Sequence, residues 1–426
     1  MAVRIVYARY KPVLASALLA LCQAAGAVPA TNSLSVTVAS HQKADQYLTS
    51  CRVQLGDKKF NCLARVRGNG AIETPFVGNE AKSTSRGILP LGDYRVLQGK
   101  QWFFMSQTDA RGIATWQSCN LGGDGKAYNC FAMKWLDAHD MLVAGNGDRI
   151  YMFYVPRVAQ RVWFTGKALD LVLRRVNDKN QVVWEWTSAD HDVAEVREPP
   201  RVKGLGSEFA SRVKQIRTSF LTNLGVSGDD PLCITIRTPR CMHMHWVDYL
   251  HANSLAWDRD GGIVVSARNI NTIFKIDYPS GDVAWRLGGY QAQRSDFALA
   301  NDPLNGFSYQ HSANVLPNGN LLLFDNGNNR PDRHSRAAEY RIDMEKKTAT
   351  LVWSYAAVEE FAFRNCCGLA QRLTNGNTLI AWGGLADKSK TSNIPVATEV
   401  TPDGRVVFEL RSSDPVLPYR VWKLEK

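Results

Sequence analysis

Short apolar runs, four or five residues long and separated by turns rich in glycine, proline and asparagine, recur through the C-terminal half of the chain. Between Ser254 and Leu287 four follow one another: Ser254-Leu255-Ala256-Trp257, Ile263-Val264-Val265-Ser266, Thr272-Ile273-Phe274-Lys275-Ile276 and Val283-Ala284-Trp285-Arg286-Leu287. β-Branched and aromatic residues at this length predict strands, and tight turns predict antiparallel pairing. The set recurs from Ala313 to Trp353 and from Ala370 to Phe408. First-turn glycines Gly261, Gly319 and Gly376 lie 58 and 57 residues apart, and the fourth runs share Trp285, Trp353 and Phe408. Gln181-Val182-Val183-Trp184 is an upstream copy of the fourth run. A β-sandwich has no reason to repeat at a constant interval, whereas a β-propeller does. The expectation is an all-β propeller of about six blades, each of four antiparallel strands. Tyr419 to Leu424 alternates and could close the ring by completing a blade.

Composition narrows the class. The 426 residues are 45% hydrophobic, enough for a packed core, which excludes a disordered chain. A net charge of +11 suits anionic small ligands or acidic surfaces, and its spread along the chain speaks against nucleic acid. Residues 1–27 read as a signal peptide: Arg4, Arg9 and Lys11, then apolar Val13 to Leu21, then Ala25-Gly26-Ala27. That run is too short to span a bilayer and no longer one follows, so the expectation is an exported protein, periplasmic or secreted, with no integral membrane segment. Residues 28–80 carry no clear repeat and stand either as a small N-terminal β-rich domain or as a blade obscured by its disulfide; the propeller is expected over 81–426.

The cysteines agree with export. Cys51/Cys62, Cys119/Cys130 and Cys233/Cys241 are close pairs, and the first two share matching Ser-Cys … Asn-Cys frames around glycine turns. Such frames predict disulfides across hairpins. Zinc is the alternative, but no Cys-x-x-Cys knuckle is present. Adjacent Cys366 and Cys367 bridge each other only with strain, so they stay reduced or pair elsewhere.

Antiparallel pairing puts the start of each first strand and the loop between the second and third strands on one rim. Those positions hold His251 with Arg268-Asn269, then Gln310-His311 with Arg330 and Arg336, then Cys367-Gly368 with Asp387 and Lys388. Imidazoles, guanidinium forks and amides at one channel end suit an oxyanion. A single rim histidine is ordinarily solvated or satisfied by backbone; two at matching positions in successive blades favour function. His243, His245 and His251 share one face of an extended strand and would suit zinc or copper, but no familiar Cys or carboxylate spacing completes the set. Asp325-Asn326-Gly327-Asn328-Asn329 resembles a calcium loop but lacks the distal glutamate, which favours a turn. No Walker or Rossmann glycine loop occurs, so no nucleotide cofactor is expected.

At these residues the chain resembles the bacterial arylsulfate sulfotransferases, periplasmic six-bladed propellers. The resemblance rests on Asp248-Tyr249-Leu250-His251-Ala252-Asn253-Ser254, Gln310-His311, Phe324-Asp325-Asn326-Gly327-Asn328-Asn329-Arg330, Ser335 to Asp343 and Tyr419-Arg420, from about Trp246 to the C-terminus. It implies sulfuryl transfer from an aryl sulfate, through an enzyme histidine, to a phenol, without a nucleotide donor. It also implies that His251, His311 and Arg330 are catalytic, with Asn314, Arg268 and Arg336 binding substrate. The family's nucleophilic histidine follows a late Gly-Gly pair, where this chain has Gly383-Gly384-Leu385-Ala386-Asp387-Lys388. Three readings stay open: His334, His311 or His251 is the nucleophile; transfer is direct; or activity is lost and an anion-binding or partner-binding propeller remains.

Overall fold

The computed structural model describes residues 31–32, 34–38, 45–55, 58–80, 91–97, 100–108, 114–121, 127–133, 135–158, 166–194, 245–356, 363–384, 394–413 and 418–425. Asp387, Lys388, Cys233, Cys241, His243 and the 1–27 segment lie outside these residues, as do the side chains of Cys119, Cys130 and His245.

Short strands and tight turns produce one sheet after another, because a strand that turns back at once can pair only with its predecessor. The described strands form six sheets of four or five strands. In chain order, four of them start from the innermost strands Leu91–Leu97, Leu136–Val143, Ala252–Trp257 and His311–Val315, and a fifth from Leu369–Arg372. In the sixth the C-terminal strand Val421–Leu424 is innermost and pairs antiparallel with Gln46–Leu55, which continues through Lys58–Arg67 to Ile72–Glu80. Each innermost strand lies beside the next, and Leu91–Leu97 returns to Gln46–Leu55 on one side and Leu136–Val143 on the other. The ring is a β-propeller closed by its two chain ends, as the Tyr419–Leu424 alternation predicts. Leu34–Val38 adds an outer strand to the preceding sheet by pairing with Val406–Ser412. Strands of the 28–80 segment are therefore hydrogen-bonded into sheets shared with the C-terminal residues.

The apolar repeat is the packing between blades. Leu169, Leu171, Trp186, Leu255, Val265 and Phe274 form one core between two successive sheets, and Val264, Trp285, Phe307, Leu323 and Tyr340 form the next. Tryptophans of the fourth strands also latch onto the following blade. The indole of Trp184 donates to the Pro279 carbonyl at 3.0 Å, Trp186 to Gly281 at 2.9 Å, and Trp353 to Pro402 at 3.2 Å. The recurring tryptophan thus grips the recurring third-to-fourth turn of its neighbour. Cys51 and Cys62 face each other in register and are bonded, as their frame predicts, with Cα atoms 4.8 Å apart.

Trp186 is 3% exposed. Trp186→Phe should lower unfolding free energy by about 1 kcal/mol through loss of the indole donor to Gly281. Trp186→Ala should cost about 3–5 kcal/mol by opening a cavity between blades. Denaturant unfolding of the two variants checks both values.

Candidate functional site

In four consecutive blades a residue at or just before the start of the innermost strand, His251, His311, Cys367 and Tyr419, lies at one end of the axis, and the preceding blade adds His139 from inside Leu136–Val143, before its regular pairing resumes at Met141. In the blade of His251 the loop between the second and third strands folds over this entry. The Arg268 N–H donates to the His251 carbonyl at 3.2 Å, and Asn269 N–H to the Leu250 carbonyl at 3.0 Å. His251 and Cys367 have φ of 47° and 66°, a left-handed kink that turns the chain from the rim into the strand. Such conformations persist where surrounding hydrogen bonds over-determine them.

The rings converge. His139 and His251 lie 5.0 Å apart at 76°, His139 and Tyr419 5.7 Å apart, and His311 and Tyr419 6.1 Å apart. His139 and His251 are each held by a carboxylate close in sequence. His139 Nδ1 is 2.7 Å from Asp137, whose same oxygen accepts the His139 N–H. His251 Nδ1 is 2.5 Å from Asp248, which also accepts the His251 N–H at 2.9 Å. A carboxylate on Nδ1 fixes the ring and the tautomer. Burial pushes the His139 imidazole down, but the charge and hydrogen bond of Asp137 more than reverse this, and its pKa stands above the ordinary 6.5.

His311 is built differently. Its Nδ1 is 2.7 Å from the Asn326 side-chain oxygen, and its Nε2 accepts the Cys367 N–H at 3.1 Å. Burial, then the Arg268 charge, pushes its pKa well below 6.5. It is a neutral ring with both nitrogens engaged, a strut between two blades.

Beneath the rings the Arg420 guanidinium crosses the axis. It donates to Ser312 Oγ at 2.6 Å, to the Asn253 carbonyl at 2.7 Å and to the His139 carbonyl at 3.3 Å, and lies 3.7 Å from Asp140. Neither member of that ion pair is exposed. Asp140 in turn accepts the Leu255 N–H at 2.9 Å. One residue beside the closing strand therefore ties four blades at their centre.

The expected anion-binding arginines divide. Arg330 is ion-paired to Asp325 and Asp332 and also donates to the Gly306 carbonyl. Arg336 pairs with Asp325 at 3.0 Å and Asp302 at 2.8 Å. Both are neutralised inside their own blade. Arg268 stacks 4.1 Å over the Tyr309 ring and donates to Asn269 Oδ1 and the Asn365 carbonyl. Among the described residues no carboxylate pairs with it. Asn314 lies further along its strand and donates to the Ser312 carbonyl at 2.8 Å. His334 is half-exposed, 3.9 Å from Asp332, and no ring contact joins it to the cluster among the described residues. Sequence reasoning missed His139. The first turn of its blade, with Gly147 at φ 88°, repeats the Gly261, Gly319 and Gly376 turns and was the available signal.

Two carboxylate-held imidazoles and an arginine with no carboxylate partner among the described residues, gathered near one end of the propeller axis, are groups whose chemistry suits a small anion. The chain belongs to the arylsulfotransferase (ASST) family, whose model matches residues 138–419. It is also similar to the arylsulfate sulfotransferase AssT of Escherichia coli O6:H1 strain CFT073, 27% identical over 168 residues. That match spans 32% of this chain and 28% of the relative's length. Among solved structures it is similar to a Bacteroides caccae protein of unknown function, at 11% identity and TM-score 0.49, covering 90% of this chain and all of that one. The periplasmic gluconolactonase PpgL of Pseudomonas aeruginosa is similar at 12% identity and TM-score 0.41, with 93% and 99% covered. At these scores the structural likenesses carry no functional argument.

Two predictions follow from the charges. Arg420→Met leaves Asp140 buried without its cation and should cost about 3–5 kcal/mol, much of it recovered in Arg420→Met/Asp140→Asn; denaturant unfolding measures both. In an NMR titration the His139 imidazole should ionise above 6.5 and His311 far below it. The folded state therefore holds a proton on His139 that the unfolded chain gives up. Its contribution to stability is complete below about pH 6.5 and fades as pH rises through the folded value. His139→Gln should flatten stability over that range.

Proposed function

We propose that the protein moves a sulfuryl group from a phenolic sulfate ester to a phenol without a nucleotide donor, after export from the cytoplasm. The observation that carries this is the pair of Asp-held imidazoles, 5.0 Å apart, at the rim that also carries Arg268. Sulfuryl transfer, like phosphoryl transfer, passes through a loose transition state with charge on three equatorial oxygens. Such a reaction needs positioning and fixed positive charge more than covalent help. Arg268 supplies the charge. His251 receives the sulfuryl group at Nε2 while Asp248 holds its Nδ1 proton. The raised pKa of His139 suits the general acid: its proton goes to the departing phenolate as the S–O bond breaks. In the second half the acceptor phenol returns a proton to His139 and attacks sulfur, and His251 leaves unmodified. His311 and Arg330 act as supports, and the Tyr419 ring, 5.7 Å from His139, is an aromatic neighbour of the site at that rim.

One set of observations favours a second reading, a propeller that binds anionic ligands or an exported partner without catalysis. Nothing after Gly383-Gly384 up to Lys388 is a histidine, and His311, Arg330 and Arg336 are all satisfied internally.

Incubation with a chromogenic aryl sulfate and a phenol acceptor separates the two. The catalytic reading expects acceptor-dependent release of the donor phenol, a sulfated His251 peptide after donor alone, and a loss of about 10²–10⁴-fold in kcat for His139→Gln. Folded protein that binds the ester without turnover, equally well as His251→Ala, would establish the binding reading instead.

A further inference from the structure

Cys366 and Cys367 have no part in that chemistry, yet the site is built around them. Both are free thiols, and their sulfurs lie 2.6 Å apart, against about 2.04 Å in a disulfide. The backbone that presents them is pinned on both sides by site residues. Asn326 donates to the Arg364 carbonyl at 3.0 Å and to the Cys367 carbonyl at 3.1 Å. Cys367 N–H donates to His311 Nε2 at 3.1 Å, Gly368 N–H to the Tyr419 carbonyl at 3.0 Å, and Ser312 Oγ to the Gly368 carbonyl at 2.7 Å. Asn328 and Arg268 both reach the Asn365 carbonyl. Holding a cysteine at φ 66° costs free energy, and this network is what sustains it.

We propose that Cys366 and Cys367 form a reversible dithiol–disulfide site in the wall of the channel mouth, and that its disulfide form is the one that accepts an anionic ester. The electrostatic part rests on the anion-site reading above; the redox part does not. Cys366 is the partly exposed member and so the one a reagent in the channel meets first. The Cys367 thiol, by its hydrogen bond and against the cost of burial, together with the charges of Arg268 and His139, holds the Cys366 thiol below its ordinary pKa. Burial, reinforced by Cys366, pushes the Cys367 thiol up. The Cys366 thiolate attacks one sulfur of a small-molecule disulfide and releases one thiolate. The Cys367 thiol, giving its proton to that departing thiolate, then attacks Cys366 and releases the second. Two electrons and two protons pass from the pair to the reagent, which leaves as two thiols. A dithiol reverses the reaction. Adjacent Cα atoms, about 3.8 Å apart, are closer than an ordinary disulfide prefers, which makes this bridge readily reduced. In the dithiol state the lowered pKa of Cys366 favours its thiolate form, and that form competes with the ester for Arg268 and His139. Oxidation removes that negative charge.

The test uses the full chain, treated with oxidised glutathione or with dithiothreitol, then denatured, alkylated and analysed by peptide mass spectrometry. Oxidised protein should yield the 366–367 peptide two hydrogens lighter and unalkylated, and dithiothreitol should restore two alkylatable thiols. Isothermal titration with 4-nitrobenzenesulfonate should then show roughly tenfold weaker binding to the reduced state, the effect of one like charge nearby. The Cys366→Ser/Cys367→Ser double variant should bind equally in both buffers. Two alkylated thiols after glutathione treatment, or a stable mixed disulfide, would overturn the redox site. A correct mass change with equal affinity in both states would overturn the electrostatic role. If neither state binds the sulfonate, the anion reading fails while the bridge stands on its mass alone.

Discussion

The buried guanidinium of Arg420 is the constraint on which the channel depends. It comes from the residue just before the closing strand and is answered by Asp140, Ser312, and the carbonyls of His139 and Asn253. A charge taken wholly out of water is tolerable only when each donor finds an acceptor, so the blades that supply those acceptors must arrive at fixed distances. The same contact sets the depth of the site. His139 is the residue before Asp140 and Tyr419 the residue before Arg420, so pinning the lower layer orients the upper one. Ring closure and site geometry are one event.

Above that layer the positive charges have unequal standing. Arg330 and Arg336 are committed to Asp325, Asp332 and Asp302, and they stiffen the loop that carries Asn326 and Ser335. That loop positions His311, and His311 positions the Cys366-Cys367 turn. Among the described residues, Arg268, His139 and His251 lie together at the rim. Under the proposed function an anionic ester meets few charges on a rigid frame, the arrangement in which electrostatic preorganisation acts most strongly. Carboxylates behind the two imidazoles keep the rings aimed, and Asp137 raises the pKa of His139.

Much of this was legible in the chain. The glycine turns and apolar runs marked the blades because each blade repeats one local solution to strand pairing and packing. Rim logic placed His251, His311 and Arg268 at one end because antiparallel pairing brings the start of a first strand and the loop between the second and third strands to the same edge of the blade. His139 escaped that logic. The pairing of Leu136–Val143 with Arg149–Val158 slips between Leu136 and Met141, so simple alternation does not predict where residue 139 points. Arg330 and Arg336 were weighted as anion binders because a sequence shows charges without their partners; Asp302 lies 34 residues from Arg336, in a loop that folds back beneath it.

Local chemistry therefore determined the all-β class, the repeat, the hairpin disulfide of Cys51 and Cys62 and the rim that gathers His251, His311 and Arg268, since each depends on residues a few positions apart. Only the tertiary structure decided which histidine is a strut and which two are paired with carboxylates. It alone decided which arginines are already neutralised, and that two neighbouring thiols meet at the site wall. Those outcomes depend on distances between blades, and such distances exist only after the two ends of the chain have joined and the ring has closed.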